Sequence, residues 1–422
     1  MPVRGIEAAD GALRCEGVAL ERIAQEAGTP AYVYSAAVLR DRVARLDAAL
    51  AGAPHAIHYS CKANGSRGVL EVLRAAGSCV DVVSGGELFK ALRAGFRPDQ
   101  ILFGGVGKQA HELREALRVG VKLINVESLA ELHLVSRLAG ELGVAANVGL
   151  RVNPEVEVLN AHRYIATGEK GHKFGIPIDE AEAVGRVALR LPHVALRALD
   201  MHVGSQLESF TAYEAGTARL VELSLALRRS GAELRYLDAG GGLPVPYDGS
   251  DEPDLETYGR IVTAAANTLG VELLVEPGRF FVAAAGTLLT KVLYVKDTGA
   301  KTYVICDAGM TELLRPSHYD AYHRIEPVRA RPGAIVADIV GPVCESGDFL
   351  ALDRELPEVE PGDLLAVHTA GAYGYVMSST YNARPRAAEV MVDGARWAVV
   401  TARETYEDLV RLEAPVPHWR EA

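Results

Sequence analysis

The chain is most easily bounded by what it lacks. It has no apolar run long enough to span a bilayer, and its first residues, Met1-Pro2-Val3-Arg4-Gly5, lack the apolar segment of a secretory leader. There is no excess of positive charge: 44 Lys and Arg stand against 55 Asp and Glu, a formal net charge of -11. A phosphate-backbone partner is disfavoured by that balance, and a small-molecule substrate is the better expectation. Cysteine is scarce, with 5 in 422 residues, odd in number and with no CxxC pair. That excludes a disulfide framework and a zinc cluster, points to a reducing cytoplasm, and leaves no metal site to expect. Cys15, Cys61, Cys79 and Cys306 read as small buried hydrophobes. No low-complexity segment or internal repeat stands out.

What is present is a hydrophobic share of 49%, enough for a sizeable core, in a chain long enough for two domains. From about residue 55 to 280, short apolar runs alternate with amphipathic stretches. Strands are expected at 56–59, 80–83, 101–103, 123–126, 147–152, 196–201, 234–238 and 271–275. Helices are expected between them: one with Val69, Leu70, Leu73 and Ala76 on a face, Ser66 as N-cap and Gly77 as stop; one with Leu88, Phe89 and Leu92; one with Leu129, Leu132, Val135 and Leu138. Eight such alternations predict a (β/α)8 barrel over residues 36–280, with a doubly wound sheet as the alternative. After Phe280 the pattern changes. Strands at 286–295, 303–307, 335–340, 364–368, 388–392 and 397–401, separated by turn residues, predict an all-β sandwich or barrel over 281–422. Residues 1–35, with a strand at 31–34, are expected to join it.

The chemistry-bearing residues fall at the C-terminal ends of the expected barrel strands, where barrel active sites lie. Lys62 closes the first strand, and a desolvated amine there is a nucleophile toward carbonyls. Asp81-Val82-Val83-Ser84-Gly85-Gly86-Glu87 ends the second, His202-Val203-Gly204-Ser205 follows the sixth, Gly240-Gly241-Gly242 the seventh, and Glu276-Pro277-Gly278-Arg279 the eighth. Taken singly, the glycines read equally well as a tight barrel turn, and His202 as a core histidine. Taken together they describe a pyridoxal phosphate site. Lys62 is the attachment point, His202 lies against the ring, and Ser205, Gly241, Gly242, Gly278 and Arg279 serve the phosphate. Glu276 pairs with the pyridinium nitrogen, which keeps the ring an electron sink.

In order along the chain, these motifs resemble the alanine-racemase-like, fold-type III decarboxylases, and among them the diaminopimelate decarboxylases. The resemblance runs from about residue 31 to 412. It is carried by the motifs above, by Tyr59-Ser60-Cys61-Lys62-Ala63-Asn64, and by Gly341-Pro342-Val343-Cys344-Glu345-Ser346-Gly347-Asp348 and Tyr381-Asn382-Ala383-Arg384-Pro385-Arg386. It implies a cytoplasmic homodimer with composite active sites, in which Cys344 protonates the substrate carbanion across the interface. It implies that Arg279, Arg315 and Tyr319 hold a distal carboxylate, Glu345 a distal ammonium, and that Tyr373 contacts cofactor and substrate. The expected reaction is decarboxylation of meso-2,6-diaminopimelate to L-lysine and carbon dioxide. Arginine is the natural clamp for a carboxylate, whereas ornithine would want only an acid at that end. The alternatives are a sister enzyme for carboxynorspermidine, ornithine or arginine, an inert binding protein on the same scaffold, and an amino-acid racemase. Two departures from the family pattern, Met310-Thr311-Glu312 for Met-Asn-Asp and His172-Lys173-Phe174-Gly175 for Ser-Lys-Phe-Gly, alter neighbours of the site. The glycine-bearing segment 164–173 reads as a lid.

Overall fold

A computed structural model describes residues 5–156, 173–207 and 209–414; most of the lid segment 164–173 lies outside them. The described chain divides into two compact units. One covers residues 36–285, the other residues 5–35 together with 286–414.

The first unit is a closed parallel barrel. Its strands run His55–Ser60, Cys79–Val82, Ile101–Phe103, Leu123–Val126, Ala146–Asn153, Val194–Met201, Tyr236–Asp238 and Glu272–Val275, each paired to the next. The ring closes where Leu273 pairs with His55 and Val275 with Ile57, both in parallel register. A doubly wound sheet is thereby excluded, because its edges would stay open. All eight strands fall where the apolar runs place them. One short extra strand, Ile176–Pro177, pairs with Ala146–Asn153.

The helical ring begins before the first strand. Ala36–Ala49 packs beside Arg67–Ala75 and Leu255–Leu269 and so supplies the eighth helix. The approach is close: a Cβ on Gly259 would stand 2.0 Å from the Ala49 carbonyl oxygen, so only glycine fits. Arg42, buried on that helix, stacks over Phe280 at 4.8 Å and pairs with Glu252. This tie extends the unit beyond Phe280 through the short helix Arg279–Val282.

One helix expectation holds in position only, and two residues, Phe89 and Leu129, need correction. Ser66 stands at the N-cap of Arg67–Ala75, but its hydroxyl makes no cap bond. The Asn64 side chain instead accepts from the Ser66 N–H at 2.9 Å. Phe89 and Leu129 lie 61% and 41% exposed, off the buried faces that Leu88 with Ala91 and Leu132 with Val135 define.

The second unit is built on one long strand, Gly286–Asp297. Its first half pairs with Ala31–Ser35 and Leu364–Val367, and its second half with Thr302–Cys306, after a register shift between Val292 and Tyr294. One strand thus serves two sheets. Ala31–Ser35 continues to Ala388–Asp393 and Arg396–Thr401; Thr302–Cys306 continues to Ile335–Val340 and Phe349–Leu356. Leu13, Cys15, Ile23, Val33, Leu289 and Val390 form its core. Phe349–Leu356 has no counterpart among the expected strands, because charges at Asp353, Arg354 and Glu355 and two register shifts break its alternation. Cys15, Cys61 and Cys306 are buried, Cys79 is half-buried, and Cys344 is exposed.

Candidate active site

At the C-terminal mouth of the barrel, Lys62 and His202 line one cavity of about 430 Å³, together with Val83, Ser84, Gly105, Gln109, Arg151 and Phe174. Lys62 is placed by a single 3-10 turn, Cys61–Ala63, that ends the first strand. Tyr59 fixes that turn by donating to the Asn64 carbonyl at 2.9 Å. His202 is held well below its ordinary pKa by burial and by the charges of Lys62 and Arg151, so its ring is neutral. Its Nδ1 accepts from the Gly241 N–H at 3.2 Å.

Behind the cavity lies a layer of acids. Carboxylate oxygens of Asp200, Asp238 and Glu276 lie within 4.8 Å of one another. Burial and mutual repulsion raise the Glu276 carboxyl well above its ordinary value, while Lys62 pulls it down. Burial lifts Asp238 to about 7 and raises Asp200 too, against the pull of Arg151. Two buried carboxyls and a half-buried one this close repel one another, which favours the protonated form. Arg151 pairs with Glu127 at 2.9 Å and stacks on Phe174 at 5.1 Å. It lies within the fifth strand, which continues to Asn153, so the strand-end rule that found Lys62 passes over it.

The glycine triplet is packed on all sides. A Cβ would stand 2.2 Å from the Met201 carbonyl oxygen at Gly240, 2.2 Å from that of Glu276 at Gly241, and 2.4 Å from that of Gly204 at Gly242. The triplet lets three strand ends meet, which places His202 and Glu276 beside each other's loops. At Gly278 a Cβ would come within 3.1 Å of Ala63 and Ser60. Arg279 donates from Nη1 to the Tyr247 hydroxyl at 2.9 Å and from Nη2 to Ser205 Oγ at 3.2 Å. Tyr247 carried no sequence signal beyond its place after the triplet.

The Ser84-Gly85-Gly86-Glu87 motif is a helix cap. Ser84 Oγ accepts from the Glu87 N–H at 3.2 Å, and Glu87 accepts from the Val83 N–H at 2.8 Å. Burial raises Glu87 to about 7. The cavity-lining residues Gly105, Val106 and Gly107 are pinned by Lys108, whose buried ammonium donates to the Gly105 and Asn125 carbonyls and pairs with Glu131 at 2.7 Å.

The second unit carries Arg315, Tyr319, Cys344, Glu345 and Tyr373. Arg315 and Tyr319 bound one short helix, Arg315–Tyr319. Cys344 and Glu345 project from an exposed loop that is firmly tied. The Cys344 N–H donates to Asn382 Oδ1 at 3.0 Å, which gives the Tyr381-Asn382-Ala383 motif its purpose. Asp348 accepts from Val343 N–H and from Met310 N–H, each at 2.6 Å, and so joins this loop to the segment leading to Arg315. Glu312, one of the family departures, accepts from Gly309 N–H and Thr311 Oγ1, both at 2.9 Å. The Thr311-Glu312 pair therefore holds its own turn. Tyr373 has φ 55, a left-handed conformation that is costly for a tyrosine and that aims its side chain.

These residues fit pyridoxal phosphate. An amine and a neutral imidazole face one cavity, and a carboxyl crowded by other carboxyls is the acid that gains most from a pyridinium N–H.

Comparison with known proteins agrees. Residues 36–283 match the family described as "Pyridoxal-dependent decarboxylase, pyridoxal binding domain". The chain is 48% identical over 409 residues to the diaminopimelate decarboxylase of Pseudomonas aeruginosa, covering 97% of this chain and 98% of that protein. The structure of diaminopimelate decarboxylase from Helicobacter pylori complexed with L-lysine superposes with a TM-score of 0.90 at 37% identity, covering 93% and 99%. That of the M. jannaschii enzyme, also in complex with L-lysine, gives 0.92 at 33% identity, covering 98% of each.

Proposed function

Because this chain belongs to the diaminopimelate decarboxylases, pyridoxal-phosphate enzymes of fold type III, we propose that it removes the D-centre carboxylate of meso-2,6-diaminopimelate. The products are L-lysine and carbon dioxide, and the step is the last of lysine biosynthesis. The observation that carries this reading is the convergence of Lys62 and neutral His202 on one cavity, with the Glu276 carboxyl in electrostatic reach of Lys62.

Pyridoxal phosphate, when bound, supplies a ring that takes up the electron pair left by the departing carbon dioxide. Lys62 Nζ is its attachment point. His202, uncharged, would pack against the ring without competing for its electrons. Glu276 would give its proton to the ring nitrogen and, as a carboxylate, hold that nitrogen protonated. Ser205 Oγ and the backbone of Gly241, Gly242 and Gly278 hold the phosphate, with Arg279 beside them. Arg279, Arg315 and Tyr319 bind the distal carboxylate, Glu345 the distal ammonium, and Tyr373 touches both cofactor and substrate. Cys344 Sγ delivers the proton that replaces the lost carboxylate, so one proton is consumed for each carbon dioxide released. Cys344 and Glu345 are exposed. They serve the barrel of a second copy, which makes the working unit a homodimer in the cytoplasm.

The test is carbon dioxide release from diaminopimelate, ornithine, arginine and carboxynorspermidine offered separately to the purified enzyme, with Lys62→Ala as control. Release from diaminopimelate alone, abolished in the control, is expected. Preference for any of the other three would overturn the substrate assignment, and a Lys62→Ala enzyme that turns over would overturn the chemistry.

A further inference from the structure

Arg315 is 7% exposed, although its charge is permanent. Its Nη1 lies 2.9 Å from Nε2 of His323, a histidine with no exposed surface. A guanidinium only donates, so Nε2 accepts, and the proton of the neutral ring sits on Nδ1. Nδ1 in turn donates to the His368 carbonyl oxygen at 2.9 Å. The backbone around the ring is fixed from both sides. The His368 N–H donates to the Arg324 carbonyl at 2.9 Å, and Arg354 Nη1 donates to the His323 carbonyl at 2.7 Å. His368 opens the segment that leads from Leu364–Val367 to Tyr373. One imidazole thus joins the helix of Arg315 to the strand end that presents Tyr373.

We infer that His323 is a positioning residue for substrate specificity: its Nε2 fixes the plane of the Arg315 guanidinium so that the fork meets a carboxylate in bidentate geometry. The inference rests on the reading of Arg315 as the carboxylate clamp. An arginine side chain is long and rotatable, and a fork aimed wrongly loses the second of its two parallel bonds. A ring that carried a second proton, or a side chain without an acceptor at that point, could not hold it.

The test uses two ligands that differ only in the carboxylate, L-lysine and 1,5-diaminopentane. Each is titrated into cofactor-loaded enzyme, and binding is read from the change in cofactor absorbance. In His323→Asn the donor to His368 is kept and the acceptor to Arg315 is lost. Lysine should weaken by about tenfold, the ratio carried by one hydrogen bond to a charged group, while diaminopentane stays within about twofold. His323→Leu, which fills the same space without either nitrogen, should behave alike. His323→Gln, whose Oε1 reaches the Nε2 position, should stay within about threefold of wild type for both ligands. An unchanged lysine-to-diaminopentane ratio in the asparagine and leucine variants, or equal weakening of both ligands, overturns the inference. Arg315→Ala separates the two levels. If it keeps the ratio, the clamp assignment itself is wrong; if it loses the ratio while His323→Asn keeps it, only the positioning role fails.

Discussion

Asp348 is the place where one atom-level change should be felt in two functional segments at once. Its carboxylate, 4% exposed, accepts from Met310 N–H and Val343 N–H at 2.6 Å each. Gly309 and Gly341 press against it so closely that a Cβ would stand 2.1 and 2.4 Å from Oδ1. Asp348→Asn keeps one acceptor and turns an NH₂ toward the other N–H, so one bond is lost and one buried donor is left unmet. A hydrogen bond to a charged group contributes about 1.5–3 kcal/mol, and that is the expected loss. For a domain of this size it corresponds to a melting temperature lower by roughly 3–12 °C. Asp348→Ala removes both bonds, about 3–6 kcal/mol, less whatever an entering water restores. Because Val343 precedes Cys344, the thiol should lose its placement, and a misplacement near 1 Å costs about a hundredfold in kcat. Calorimetry of the loaded enzyme and carbon dioxide release measure the two effects. A lower melting temperature with unchanged kcat would refute the claim that Asp348 positions Cys344; no change in either would refute the energetic reasoning as well.

Two further outcomes follow from the same geometry. Cys344→Ala should lower kcat by at least about a hundredfold while leaving cofactor absorbance unchanged and stability within about 0.5 kcal/mol, since the thiol is exposed and packs no core; retained turnover would remove it as proton donor. Asp238, ordinarily near 3.8, is raised to about 7 in the fold. A raised folded-state pKa gives stability that is full below the unfolded value and lost as pH rises through the folded one. The cofactor-free protein should therefore lose stability as pH rises from the ordinary carboxylate range towards 7, through the acid layer to which Asp238 belongs. Asp238→Asn should make that fall shallower without removing it, because Asp200, Glu276 and Glu87 are raised in the same sense. His58, lowered to about 3 by burial, acts in the opposite sense over the same range. The quantity to measure is thus the melting-temperature difference between variant and wild type at pH 5 and 7, and equal slopes would refute the assignment.

The barrel was legible because its cause is local. Most strands are built round a short apolar stretch, as in Ile101–Phe103, and the polar residues that interrupt others, Asp81, Asn125, Asp200 and Asp238, are buried with it. Ala36–Ala49 carried no comparable signal. Its buried face includes Arg42, whose partner Glu252 stands about two hundred residues away. Phe89 shows the converse: it has the right spacing for the buried face, yet it lies against Arg93, whose guanidinium stacks 5.5 Å above its ring. Phe349–Leu356 stayed hidden because its pairing partner tolerates two register shifts, which no period of two can signal.

The site divides along the same line. Lys62, His202 and Glu276 could be found because each ends a strand, and strand ends converge in any parallel barrel. Tyr247, His323 and Asp348 could not, because each acts through a group far off in sequence: Arg279, the carbonyl of His368, the N–H of Met310. None would be singled out by its type, since a tyrosine after a turn, a histidine in a loop and an aspartate before a strand are ordinary. His323 and Asp348 are buried and Tyr247 is half-buried, and each has a bond directed at a proposed site residue or at the neighbour of one: Arg315, Val343 before Cys344, and Arg279. On the proposed roles of Arg315 and Cys344, such groups set how exactly both are held, and so bear on specificity more than on reaction type. The type of reaction is accordingly written in short motifs, whereas the preference for a second amino-acid head is distributed over contacts that exist only once the chain has folded.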